Sequence, residues 1–108
     1  MFDRDQPLTR HDLGLARRYY NVIQNRREIA VAQFGTARAN EVFAAGRRFF
    51  MVAGIGPLNA LEIAMQVELE FHGRVAEIIT EAIRIAGSSG VDVKRALIGI
   101  LILERSRA

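Results

Sequence analysis

The chain has 108 residues, half of them hydrophobic, no cysteine and a formal net charge of +3. That length suits one domain, residues 1–108, and the lack of cysteine removes disulfides and thiolate zinc sites and gives no sign of an oxidising compartment. No apolar run approaches the roughly 18 residues that a membrane span needs, and Met1–Asp5 carry both signs of charge and lead into no apolar signal segment, so the cytoplasm is the expected location.

The charge is uneven. Residues 1–56 hold nine arginines against five acids, whereas residues 57–108 hold six basic groups against seven acids. Lys94 is the only lysine. A guanidinium fork suits phosphate and carboxylate partners, although GC-rich coding produces the same bias.

Thr9-Arg10-His11-Asp12 has the form of a capping box, which starts a helix at about residue 10. Leu13, Ala16, Tyr20, Ile23, Ala30 and Phe34 then recur at helical spacing to residue 34, with Arg27 as the one polar step in the seam. Gly35 is either a kink or a turn. A second helix over about 37–54 gathers Val42, Phe43, Gly46, Phe49 and Phe50, and Gly54-Ile55-Gly56-Pro57 ends it.

The pattern then predicts one long helix over 57–86. Its polar residues fall on a thin stripe (Asn59, Glu62, Gln66, Glu70, Glu77, Glu81, Arg84), which marks a helix covered from several sides. Gly87-Ser88-Ser89-Gly90 is a loop. Ser89 and Asp92 offer a second capping box for a helix over 92–105, whose stretch Ala96–Leu103 is apolar all round. Residues 1–8 and 105–108 read as frayed termini.

The expected fold is therefore all-α, a four-helix bundle-like domain. More apolar surface is present than so small a bundle can hide, so oligomerisation is expected to complete it, a homodimer first. Leu69, Phe71, Ile78, Leu97 and Leu101 are the expected interface residues.

Glu68 and His72 lie one turn apart on the apolar side of the long helix, where a charge must be paired. Arg27 interrupts the first helix in the same way. An Arg27–Glu68 ion pair with His72 alongside satisfies both, either as a structural lock or as a small-ligand site. The di-iron pattern Glu-x-x-His is absent, since Leu69 stands three before His72. No catalytic residue, metal or cofactor is implied, and Gly54-Ile55-Gly56 is a turn rather than a phosphate loop.

Arg17, Arg18, Arg26, Arg47 and Arg48 are the candidate contacts to nucleic acid or another anion. Adjacent arginines point about 100° apart on a helix, so a doublet makes no patch by itself.

Two short likenesses touch these residues. Ala86–Leu97 resembles the turn and recognition helix of LacI-type helix-turn-helix repressors, with a turn glycine, a valine six on and Arg95-Ala96-Leu97. It departs at Ser88, where an apolar residue belongs, and at Gly90. Arg26–Ala32 resembles part of the first helix of the all-helical chorismate mutases, dimeric enzymes that bind a dicarboxylate between arginines. That likeness implies Arg10, Arg27 and Arg38 as ligand contacts, but it holds Arg27 only with a one-residue shift. Arg47-Arg48-Phe49-Phe50 replaces the charged cluster expected further on.

The leading expectation is a self-associating structural or adaptor module without catalysis. Nucleic-acid binding through the arginine-rich half, in a regulatory role, is the alternative. Third is small-ligand binding, or a chorismate-mutase-like activity, around Arg27, Glu68 and His72.

Overall fold

The computed structural model describes residues 9–107. They form five helices and no strand: α1 (Arg10–Phe34), α2 (Thr36–Ala53), α3 (Pro57–Glu70), α4 (Val75–Ser89) and α5 (Val93–Arg107). The all-α class read from the sequence is the observed one.

The Thr9 capping box is present in full. The Asp12 N–H donates to the Thr9 hydroxyl at 3.1 Å, and the Thr9 N–H donates to the Asp12 carboxylate at 2.9 Å. Between α1 and α2 stands a single residue, Gly35, at φ +86°, a conformation that a side chain disfavours. It makes a corner rather than a kink. The chain folds back so that Arg27 of α1 meets Asn40 and Phe43 of α2.

The long third helix is in fact two. Phe71–Arg74 interrupt it, with Gly73 at φ +85°. Two links hold this turn in place. The Gly73 N–H donates to the Glu68 carboxylate at 3.2 and 3.3 Å, and the Arg74 N–H donates to the Phe71 carbonyl at 3.0 Å. Hydrophobic spacing runs through the break unchanged, so only Gly73 marks it in the sequence. The division lets α3 and α4 pack separately on α2, and α2, not the segment after Pro57, is the central helix that touches every other one.

The α2–α3 contact is close because its residues are small. A Cβ placed on Gly46 meets the Cα of Leu61 at 3.3 Å, and Ala45, Ala60 and Ala64 are buried beside it. Phe49, Val42, Val75, Ile78 and Ile79 fill the larger volumes of the core.

After α4 the turn is short. Asp92 alone caps α5, accepting the Lys94 N–H at 3.0 Å. Ser89 belongs to the end of α4, where its hydroxyl donates to the Ile85 carbonyl at 2.7 Å. Residues 105–107, expected to fray, are helical. Arg105 is tied to Glu70 of α3 at 2.5 Å and Arg107 lies 3.6 Å from Glu104. Residues 1–8 and 108 lie outside the described part.

The assembly of helices is flat, 50 × 37 × 16 Å, with a radius of gyration of 15.3 Å. A compact domain of this length has a radius of about 13 Å. Much of the excess is α1. Its only buried residue is Ala30, and its first half carries an exposed apolar stripe that includes Leu13 at 56% and Tyr20 at 61% exposure. No helix among the described residues is long and apolar enough to cross a membrane.

Candidate functional site

Two places combine charge with burial, and they divide the residues that the sequence singled out. The first is Glu68. It has no exposure at all, the one buried charged residue among those described. Its partner is Arg38, not Arg27. The Arg38 Nε and Nη2 donate to the two carboxylate oxygens at 2.9 and 2.7 Å, a bidentate fork, and the Gly73 N–H completes the set. The Arg38 guanidinium is the main reason that the Glu68 carboxyl titrates below the usual glutamate range. Burial pushes it the other way, and the Gly73 N–H lowers it again.

His72 reaches only 3.6 Å from Glu68 and is 70% exposed. It sits in the turn after α3, so it stands over the lock and is not part of it. Every acceptor position of Glu68 is used internally. The arrangement staples α2 to the α3–α4 turn and leaves nothing free for a ligand. Arg38 has a visible sequence signal, since it shares the stripe of Val42, Ala45 and Phe49, all buried.

The second place is the opening of the α1–α2 corner. A cleft of about 950 Å³ lies between α1, α2 and the start of α3, with Ile23, Phe43, Phe50, Met51, Pro57 and Leu61 among its walls. Arg27, Arg47 and Arg48 also line it. The Arg27 Nη2 donates to the Asn40 side-chain oxygen at 2.5 Å, and its guanidinium lies 5.3 Å from the centre of the Phe43 ring. Asn40 and Phe43 carry no charge. Arg27 is thus oriented but not neutralised.

Comparison with known proteins finds no family model, no curated protein and no solved structure that matches this chain. The reading of its function rests on its own geometry.

That geometry treats the remaining residues unequally. Arg26 is taken by Glu62 of α3, Nε to Oε1 3.1 Å, although the two are not aligned as a hydrogen bond. Arg17, Arg18, Arg47 and Arg48 make no ion pair with any described residue, whereas Arg74, Arg84, Arg105 and Arg107 each have a carboxylate. Arg74 links Glu77 at its own end of α4 to Glu104 of α5, and both carboxyls are held below their ordinary range by its guanidinium.

Of the expected interface residues, Ile78 and Leu97 are buried in the chain's own core and cannot meet a partner. Phe71 and Leu101 are half-buried against that core, and Leu69 is exposed. The side of α5 that does face outward carries Ile98, Ile102 and Leu103.

Arg38, which the chorismate-mutase likeness implies as a ligand contact, is instead bound to Glu68 by both of its donating nitrogens. Residues 86–97 do run helix, turn, helix, with Val93, Ala96 and Leu97 buried and Lys94 and Arg95 exposed. The outward continuation through Ile98 and Ile102 is apolar, which ill suits a phosphate backbone.

Proposed function

We propose that the chain is a self-associating helical structural or adaptor module of the cytoplasm that performs no catalysis, with a second copy as its partner, a homodimer in the simplest case. The first half of α1 carries this reading. Leu13, Ala16 and Tyr20 form an apolar stripe at helical spacing that nothing in the described chain covers. Isolated helices shorter than about 12–15 residues are marginal in water, so most helical stability comes from burying such a stripe.

The area supports the same reading. The chain exposes 7429 Å², against about 6,000 Å² for a compact monomer of its mass. A standard interface takes about 800 Å² from each partner, which the excess can supply. Light-scattering mass on a sizing column tests it. The wild type is expected to run as a salt-stable oligomer, and Leu13→Glu with Tyr20→Glu as a folded monomer. An unchanged mass for that double variant refutes the assignment to α1, and a monomeric wild type refutes the function.

The unpaired Arg17, Arg18, Arg47 and Arg48 favour one second reading, binding of nucleic acid on the α1–α2 side. Anisotropy of a labelled duplex under salt titration decides it, since phosphate-driven binding weakens steeply as salt rises. Each arginine that contacts a phosphate is expected to remove about one unit of the log–log slope when changed to glutamine.

A further inference from the structure

The cleft in the α1–α2 corner has a chemistry that self-association does not use. Its volume of about 950 Å³ falls within the roughly 300–1,000 Å³ of small-molecule sites, which are mostly apolar with a few oriented polar groups. Along α2 it runs from Asn40 to Met51, about 16 Å at the usual helical rise. One end is bridged, where Arg27 donates across the corner to Asn40. The walls beyond are Ile23, Phe43, Phe50 and Leu61.

The polar groups are all of one sign. Arg27 lies over the Phe43 ring, 5.3 Å from its centre, with only a neutral amide oxygen as its hydrogen-bond partner, and Arg47 and Arg48 line the same space without a carboxylate. A positive charge oriented in an apolar, partly desolvated place attracts an anion more strongly than the same charge on an open face. An apolar trough with an uncompensated guanidinium at its bridged end fits a ligand with a negative head and a hydrocarbon tail.

We propose that this cleft binds a free single-chain carboxylate amphiphile, its head held by Arg27 and Arg47 and its tail lying along Ile23, Phe50 and Leu61. The site adjoins the α1 stripe proposed for self-association, since Tyr20 and Ile23 share one helix face, but all of its lining comes from one chain.

Titration calorimetry of the full chain with dodecanoate, below its micelle-forming concentration, tests the proposal. One dodecanoate is expected per chain, and decanoate and octanoate should weaken progressively, by up to about fourfold per methylene. Dodecyltrimethylammonium, with the same tail and the opposite head, should bind at least tenfold more weakly.

Two variants locate the site. Arg47→Glu reverses a charge at an exposed position and should weaken dodecanoate at least tenfold. Ala44→Trp, at an exposed position that lines the cleft, should fill the trough and abolish binding while leaving the circular dichroism spectrum and melting temperature unchanged. Equal binding of the two head groups overturns the proposal, as does undiminished binding to both variants or the absence of any heat. If Tyr20→Glu abolishes binding and Ala44→Trp does not, the amphiphile sits on the α1 stripe and the cleft assignment is wrong.

Discussion

The Arg38–Glu68 lock makes the sharpest energetic prediction. Glu68→Gln keeps the side chain's volume and removes its charge. Two guanidinium hydrogen bonds at 2.9 and 2.7 Å are of the charge-assisted kind, worth about 1.5–3 kcal/mol each. Removing one partner of a buried pair costs about 3–5 kcal/mol. Arg38 is 26% exposed and can turn toward water once its partner is neutral, which puts Glu68→Gln near the lower end, about 3 kcal/mol. Arg38→Met is the worse injury, because it leaves a fully buried carboxylate with the Gly73 N–H and an exposed imidazole for company. It belongs at about 5 kcal/mol, a large share of the 5–15 kcal/mol that holds a typical domain together. Urea unfolding followed by circular dichroism at neutral pH measures both. A loss below about 1 kcal/mol for either variant would place the pair among ordinary surface bridges and refute the reasoning, as would a larger loss for Glu68→Gln than for Arg38→Met. The pH dependence has a definite sign. Glu68 titrates below its ordinary 4.5 in the folded chain, so its contribution is complete above that value and fades as pH falls through it toward the folded pKa. The stability gap between wild type and Glu68→Gln should be constant near neutrality and close in acid.

Three further outcomes follow from the fold. Gly73→Ala should cost about 1 kcal/mol in the same unfolding assay, because Gly73 sits at φ +85° where a Cβ is strained. Gly46→Val should cost about 2 kcal/mol, since even a Cβ meets the Leu61 Cα at 3.3 Å, and a neutral result would mean that α2 and α3 are not in close contact. Leu97→Glu should unfold the chain outright while Ile102→Glu leaves it folded, a contrast read by circular dichroism that follows from one residue being buried and the other exposed.

What the sequence makes legible is whatever has a local cause. The loop expected over 87–90 falls three residues later, because α4 runs on through Ser89, whereas the capping box at Thr9 and the stop at Gly54–Pro57 depend on side chains within a turn of each other, and both stand where residue type and spacing put them. The break at Phe71–Arg74 does not. Apolar spacing crosses it without a fault, and the turn is fixed by a carboxylate five residues back that a guanidinium thirty-five residues before Gly73 holds in place. Glu68 was recognisable as a charge in need of a partner, but two arginines were available to it. Arg27 interrupts an apolar seam and Arg38 lies on one, and only the corner at Gly35 decides which of them faces α3. Two of the five expected interface residues went astray for a related reason. Apolar character marks a residue for burial without saying whether its own chain or another covers it, and Ile78 and Leu97 are claimed from within.

The two ends of the molecule differ in how far they satisfy themselves. From Arg74 onward, most basic groups have a carboxylate within reach, and α5 is tied back to both α3 and α4 by ion pairs. At the other end, Arg17, Arg18, Arg27, Arg47 and Arg48 have no carboxylate partner among the described residues, a cleft stands open in the corner, and half of α1 extends with an apolar stripe that no described residue covers. A chain under pressure only to fold would gain from closing the corner, since bringing Tyr20 and Ile23 down onto Phe50 and Met51 would bury apolar area at about 25 cal/mol per Å². The arginines oppose that closure. Arg27 on α1 would be brought toward Arg47 and Arg48 on α2, three like charges converging in a space that also loses water. The positive charge that holds the corner open is therefore also what an incoming anion would relieve. Ligand in the cleft and a more compact α1–α2 pair are thus expected to favour each other, and protection of the α1 amides from hydrogen exchange should rise when dodecanoate is bound.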